Sequence, residues 1–302
     1  MKALLRDAPL LAGATLLLLV ALLMPPVPLP RNVADTVLVF DITQSMDVED
    51  AQIDGAPVSR LEFARAAARR ALRELPCGSR VGWAAFTEYR TLLLLAPIEV
   101  CENYNDLLAT LAEIDGRIRW GNASEVAKGV FWALRAAKEL QGKPAILFLT
   151  DGHESPPLTA FPRFDDVQAG QVRGWLLGIG AGVPQPIPRT DAEGNRIGYW
   201  RAGDVLQRNV PAGQPPSREH LSELREPHLR ALAAQTGLGY SALRDPGQLA
   251  ALMRDPQLAR RASVATDLRA VPALLALALL CVYFRPDAFG GGRPRLSRTS
   301  GT

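Results

Sequence analysis

Histidine and cysteine are both scarce in this chain of 302 residues, with three of each. His153, His220 and His228 stand apart from Cys77, Cys101 and Cys281, so there is no close His/Cys cluster of the kind that holds zinc. No Gly-x-Ser-x-Gly elbow occurs, which removes the usual signature of an activated serine. A dominant charge is missing as well. Lys+Arg 34 against Asp+Glu 31 leaves a net charge of +3, and the arginines are dispersed. Without an aromatic-interleaved basic patch, nucleic-acid binding is not expected. Internal repeats are absent. Hydrophobic residues are plentiful at 48%, enough for one α/β domain of about 200 residues plus appendages.

Two uncharged runs lie near the ends. Ala8 to Pro30 has no charge, Leu10 to Met24 is densely apolar, and Lys2 and Arg6 precede it. The run reads as an N-terminal transmembrane anchor over 1–30. A cleaved secretory signal is the alternative, but Pro25-Pro26-Val27-Pro28-Leu29-Pro30 stands where a small-x-small cleavage site would be. Ala270 to Phe284 is also uncharged, and Arg285, Arg293, Arg295 and Arg298 follow it. It reads as a second span over 268–286 ahead of a basic cytoplasmic tail at 287–302. A run of that length also fits a buried helix, and Arg260, Arg261 and Arg269 on its other flank count against a span. The expected topology puts both termini in the cytoplasm, the helices among membrane lipids, and residues 31–267 outside the cytoplasm.

Between the ends, apolar runs alternate with amphipathic ones. Thr36 to Phe40 reads as a buried strand, and Ser59 with Glu62 as a capping box opening a helix that buries Leu61, Ala64, Ala68, Leu72 and Leu75. Val81 to Phe86 and Leu92 to Pro97 read as a hairpin turning about Glu88 and Tyr89. Folding the pair there brings Cys77 nearly opposite Cys101, so in an oxidising compartment a disulfide is expected. The alternative is two unpaired buried thiols. Helices are expected over Tyr104 to Ile114, Ser124 to Leu140 and His220 to Thr236, with strands over Ala145 to Leu149, Val172 to Ile179 and Gly239 to Leu243. Pro246 to Ser263 looks helical. Asp191 to Asn195 reads as a hairpin turn, since it lacks the full spacing of a calcium loop. The fold class is therefore α/β, a doubly wound, mainly parallel sheet with one antiparallel edge strand.

Chemistry concentrates at two strand ends. Asp41, Thr43 and Ser45 follow the first strand as Asp-x-Thr-x-Ser, and Asp151 follows the strand ending at Thr150. Open α/β sheets bind ligands beyond the carboxyl ends of their strands, and hard divalent cations take oxygen ligands. The two loops read as two edges of one metal pocket.

These residues resemble the von Willebrand factor A domain, whose metal-ion-dependent adhesion site is written Asp-x-Ser-x-Ser, then Thr, then Asp. Asp41, Thr43 and Ser45 match the first element and Asp151 in Leu-Thr-Asp-Gly the third. Gly121 to Gly129 aligns with the second, with Ser124 in place of the Thr. The resemblance implies such a domain over 34–250, a divalent cation (Mg²⁺ first, with Mn²⁺ or Ca²⁺ as alternatives), and a protein partner whose acidic side chain completes the metal's coordination. His153 and Glu154 would stand on the partner-binding rim. The stretch Ser59 to Ala64, with Gly178-Ile179-Gly180 and the Asp191 to Asn195 turn, resembles membrane-tethered bacterial members that accompany MoxR-type AAA ATPases, in the Bat group and the methanol-oxidation (Mxa) clusters. That resemblance implies a non-enzymatic assembly or metal-insertion factor for a periplasmic partner such as a methanol dehydrogenase, working with other assembly factors. A metal-dependent hydrolase or phosphotransferase using the same pocket is the competing reading, and an adhesion scaffold is a third.

Overall fold

Six apolar runs hydrogen-bond into one sheet. They are β1 (Asp35–Asp41), β2 (Arg80–Thr87), β3 (Arg90–Glu99), β4 (Ala145–Thr150), β5 (Gly174–Gly178) and β6 (Gly239–Ala242). Their order is β6-β5-β4-β1-β2-β3, parallel throughout except for the antiparallel β2–β3 hairpin at one edge. This computed structural model describes residues 2–284 apart from 159, 163–164, 192 and 206–217, with side chains from residue 9 onward.

The central strands β1 and β4 are buried along their whole length, as parallel strands covered on both faces must be. The period-two alternation of β1 divides its side chains between two cores. Leu38 and Phe40 join a cluster with Leu61 and Ala68 of α2 (Arg60–Glu74), Leu107 of α3 (Tyr104–Ala112) and Leu249 of α6 (Gln248–Met253). Val37 and Val39 join the opposite cluster, with Val130 of α4 (Val126–Glu139) and Leu229 of α5 (Glu226–Thr236). Helices on both faces of a mostly parallel sheet are the expected doubly wound arrangement.

Half of the capping box at α2 forms. Ser59 Oγ accepts the Glu62 N–H at 3.1 Å, but the Glu62 carboxylate turns outward to Arg65 and Arg69. The hairpin turns at Glu88, whose φ of 62° is the left-handed bend the turn needs. Its open end is closed by a disulfide between Cys77 and Cys101, Cα atoms 5.2 Å apart. The Asp191 turn is held by its own Asp, which accepts Asn195 N at 2.7 Å and Asn195 Nδ2 at 3.1 Å.

Three expectations change. The helix expected from His220 begins only at Glu226, and Leu221–Ser222 before it is a short strand. The stretch 246–263 is not one helix: α6 stops at Met253 and Arg260–Thr266 is a strand. Pro256 interrupts any helix continuing from α6, and β-branched Val264 and Thr266 favour the extended chain. At the termini, helices form but are shorter than the uncharged runs. α1 (Lys2–Leu23) ends before Pro25 and Pro26, and its first turns hold Lys2, Arg6 and Asp7. α7 (Ala270–Tyr283) has 14 residues, about 21 Å at 1.5 Å per residue. Among the described residues no helix is long and apolar enough to cross a membrane. The basic tail at 287–302 lies outside the described residues. Residues 31–262 form one compact unit, and the described parts of 1–30 and 263–302 form another.

Candidate metal centre

β1 carries Asp41 to the carboxyl edge of the sheet, where the chain turns sharply. Asp41 Oδ1 accepts both the backbone N–H of Thr43 (2.9 Å) and its hydroxyl (2.7 Å). This local closure is what a short polar side chain offers a turn. Ser45 lies on the one-turn 3-10 helix Gln44–Asp47, its Oγ 3.1 Å from Thr43 Oγ1. From the neighbouring strand, Thr150 donates its hydroxyl to Asp41 Oδ2 at 2.6 Å.

Ser124 belongs to the loop before α4, not to the helix itself. Its backbone exchanges hydrogen bonds with Ser155 (2.8 and 2.7 Å), and its flanks are bound to the hairpin turn through Glu88 N to Ala123 O and Glu125 N to Glu88 O. The Ser124 hydroxyl donates to His153 O at 2.7 Å. All three loops named from the sequence therefore meet. The helix behind this loop sits close to the sheet because position 129 is glycine: a Cβ there would lie 2.2 Å from the Phe86 ring.

Thr43, Ser45 and Ser124 line one cavity of about 310 Å³, shared with Asn122, His153, Trp200 and Glu219. Asp41 and Asp151 are absent from its wall and fully buried. The hydroxyl protons explain the arrangement. Thr43 spends its proton on Asp41 and Ser124 on His153 O, and Ser45, 3.1 Å from an oxygen already donating elsewhere, donates to Thr43. Each hydroxyl thus keeps at least one oxygen lone pair free, as a hard cation requires. The donor set fits a divalent ion held by Thr43, Ser45 and Ser124, with the two carboxylates behind them supplying charge. Among the described residues the one independent group of metal-ligating type is Cys77, Glu99 and Cys101, of which the cysteines are bonded to each other.

The carboxylates differ. Burial, then repulsion from Asp151, pushes Asp41 up to about 7. Burial acts most strongly on Asp151 and would raise it, but Arg60 together with His153 and the Ser222 hydroxyl holds Asp151 below the usual carboxylate range. Arg60 Nη1 lies 2.6 Å from Asp151 Oδ2, both side chains fully buried, and Ser222 Oγ donates to the same oxygen at 2.6 Å. His153 is buried on the cavity wall, and burial lowers its pKa, so it is neutral near pH 7. Glu154 turns the other way: it accepts Ala127 N at 2.9 Å and meets His228 Nε2 at 3.0 Å, capping α4 and not lining the cavity.

Arg60, Ser222 and Thr150 carry much of this geometry, and the sequence did not mark them as site residues. Thr150 was legible as the neighbour of Asp151. Arg60 and Ser222 are joined to Asp151 over 91 and 71 residues, and no local pattern announces such a contact.

Residues 36–153 match the family described as von Willebrand factor type A domain. A comparison with curated proteins finds no match. Among solved structures, the conserved protein BatB from Bacteroides thetaiotaomicron is 20% identical with a TM-score of 0.50, covering 73% of this chain and 96% of that one. An aerotolerance-related membrane protein from Bacteroides fragilis NCTC 9343 is 18% identical with a TM-score of 0.49, covering 72% and 96%.

Proposed function

We propose, from the premise that residues 36–153 form a von Willebrand factor type A domain, that this chain is a non-enzymatic, divalent-ion-dependent protein-binding module tethered to a bacterial inner membrane. The observation that carries this reading is the cavity wall of three hydroxyls, Thr43, Ser45 and Ser124, whose protons are all directed into the protein. A divalent cation bound there, Mg²⁺ in the first instance, supplies an electrophilic point for a carboxylate on a partner. The chain's residues do the rest. Asp41 polarises Thr43, Thr150 fixes Asp41, and Ile187, Trp200 and Pro156 give the cavity apolar walls that exclude water around an incoming acidic side chain.

A hydrolase reading has less behind it. Among the described residues the ring nitrogens of His153 meet no hydroxyl, so His153 does not activate a serine in the way nucleophilic catalysis needs.

The tether is supported by α1 and α7, which pack together within one unit, so closely that a Cβ added at Gly13 would lie 3.4 Å from the Leu279 side chain. Their outer faces present exposed Leu16, Leu22, Leu274 and Leu277, a surface that lipid would cover. The partner class is an exported protein undergoing assembly or metal loading, of which a periplasmic dehydrogenase is one case. A MoxR-type ATPase would reach only the cytoplasmic ends.

Three experiments test the proposal. Calorimetry should show Mg²⁺ uptake by the full chain and none by Asp41→Ala. Pull-down of exported proteins should depend on Mg²⁺, and capture that survives chelation would refute the ion-dependent part. Reporter fusions at 180–205 and after residue 302 should report opposite sides of the membrane.

A further inference from the structure

We infer that Arg60 is a positioning residue of this centre: its guanidinium holds Asp151 back from the cavity, so that a bound ion stays short of negative charge until a partner's carboxylate arrives. The inference rests on the divalent-ion reading of the cavity.

Arg60 opens α2, where the helix macrodipole favours an anion. A cation there needs another reason, and its side chain is fully buried. A fork to Asp50 neutralises it, Nε to Oδ1 at 2.8 Å and Nη2 to Oδ2 at 2.6 Å. The remaining edge faces the centre. Nη1 reaches Asp151 Oδ2 at 2.6 Å, Ser222 Oγ at 2.6 Å and Ser45 O at 3.2 Å. One side chain thus ties the first metal loop, the third metal loop, the acidic loop and the strand before α5.

The consequence for Asp151 follows from counting acceptor sites. Its Oδ2 accepts from Arg60 and Ser222, which occupies both lone pairs, and its Oδ1 accepts His153 N at 2.9 Å. One of these three donors is a buried cation, so the charge of Asp151 is drawn toward Arg60 and away from the cavity wall. Asp41 also accepts three bonds, but from the Thr43 N–H and the hydroxyls of Thr43 and Thr150, none of which is a cation. The two strand-end carboxylates therefore do different work: Asp41 backs the hydroxyls, while Asp151 is committed to the guanidinium.

The surrounding backbone is shaped to this end. Gly180 has φ +114°, and a Cβ there would come within 2.4 Å of Arg60 Nε. Ala181 N donates to Asp50 Oδ2 at 2.9 Å, so the turn after β5 closes over the pair. A purely structural staple would account for the burial, but it predicts only that removing Arg60 loosens everything. A residue that restrains a ligand predicts the opposite sign for ion affinity.

The test is calorimetric titration of the full chain, in detergent micelles, with MgCl₂. The variant Arg60→Met/Asp50→Asn removes the guanidinium and its fork partner together, leaving the net charge of the cluster unchanged. It should bind Mg²⁺ about tenfold more tightly, with a larger ion-induced rise in Tm. In the otherwise wild-type chain, Asp151→Ala should weaken binding less than about threefold, whereas Asp41→Ala abolishes it. A folded double variant that binds Mg²⁺ equally or more weakly overturns the inference. So does loss of binding in Asp151→Ala, a comparison that decides by itself if the double variant does not fold. Wild-type chain that takes up no Mg²⁺ overturns the ion reading along with it, whereas wild-type uptake with loss in Asp151→Ala overturns the role of Arg60 alone.

Discussion

Thr150 donates its hydroxyl to Asp41 Oδ2 at 2.6 Å across two neighbouring parallel strands, and Thr150 Oγ1 itself accepts the Gly152 N–H at 2.9 Å. One side chain therefore fixes the carboxylate of the first metal loop and shapes the turn of the third.

Thr150→Val keeps the shape and removes both bonds. Leaving buried polar groups unpaired costs about 1–3 kcal/mol, so denaturant melts should show a loss in that range. Mg²⁺ affinity, measured by calorimetry, should fall alongside, because Asp41 is no longer aimed at Thr43.

The pH dependence of ion uptake follows from Asp41, pushed up to about 7 chiefly by burial. Ion binding needs the carboxylate form, so below pH 7 uptake must displace a proton. Affinity should fall about tenfold per pH unit there and level off above. Titrations in buffers of different ionisation enthalpy should show proton release at pH 6 and little at pH 8. In the ion-free chain the sign reverses for stability. A carboxyl whose folded pKa lies above its unfolded value of 3.8 contributes stability that is complete below that value and lost as pH rises through about 7.

The Cys77–Cys101 bond closes a loop with a sequence separation of 24, which in the chain-entropy account is worth about 3 kcal/mol. Cys77→Ala/Cys101→Ala should lower Tm accordingly, and a reductant should reproduce the shift in the wild type while leaving the double variant unmoved.

Gly129→Ala tests the close approach of α4 to the sheet. Its Cβ would lie 2.2 Å from the Phe86 ring, and overpacking of that kind costs about 1–3 kcal/mol. Helix propensity alone would predict a gain of about 1 kcal/mol, so the sign of the change in a thermal melt separates the two effects.

The sheet was legible because burial on both faces leaves unbroken apolar runs, and β1 and β4 are such runs with an Asp just past each. The hairpin and its disulfide followed from one turn and the symmetry of residues about it. The stretch expected to be helical from Pro246 to Ser263 is so only as far as Met253, because Pro256 and the β-branched residues beyond it favour an extended chain. At the centre, the hydroxyl and carboxylate identities were readable, since they lie within a few residues of strand ends. That the carboxylates stand behind the hydroxyls was not, because it depends on where each proton goes. Arg60 was visible only as part of a helix start: its partners at 50, 151 and 222 become neighbours only when four loops close.

Asp41 and Asp151 follow strands paired continuously from Thr36 with Ala145 to Phe40 with Leu149. Their separation is thus ruled by a lattice of backbone bonds that shears only if the domain comes apart. Ser124 answers to a short bridge between loops. Were a divalent ion held by Thr43, Ser45 and Ser124, the roughly 0.4 Å difference between magnesium–oxygen and calcium–oxygen distances would have to be absorbed by the loop bridges that tie Ser124 to Glu88 and to Ser155, and not by the strand pairing.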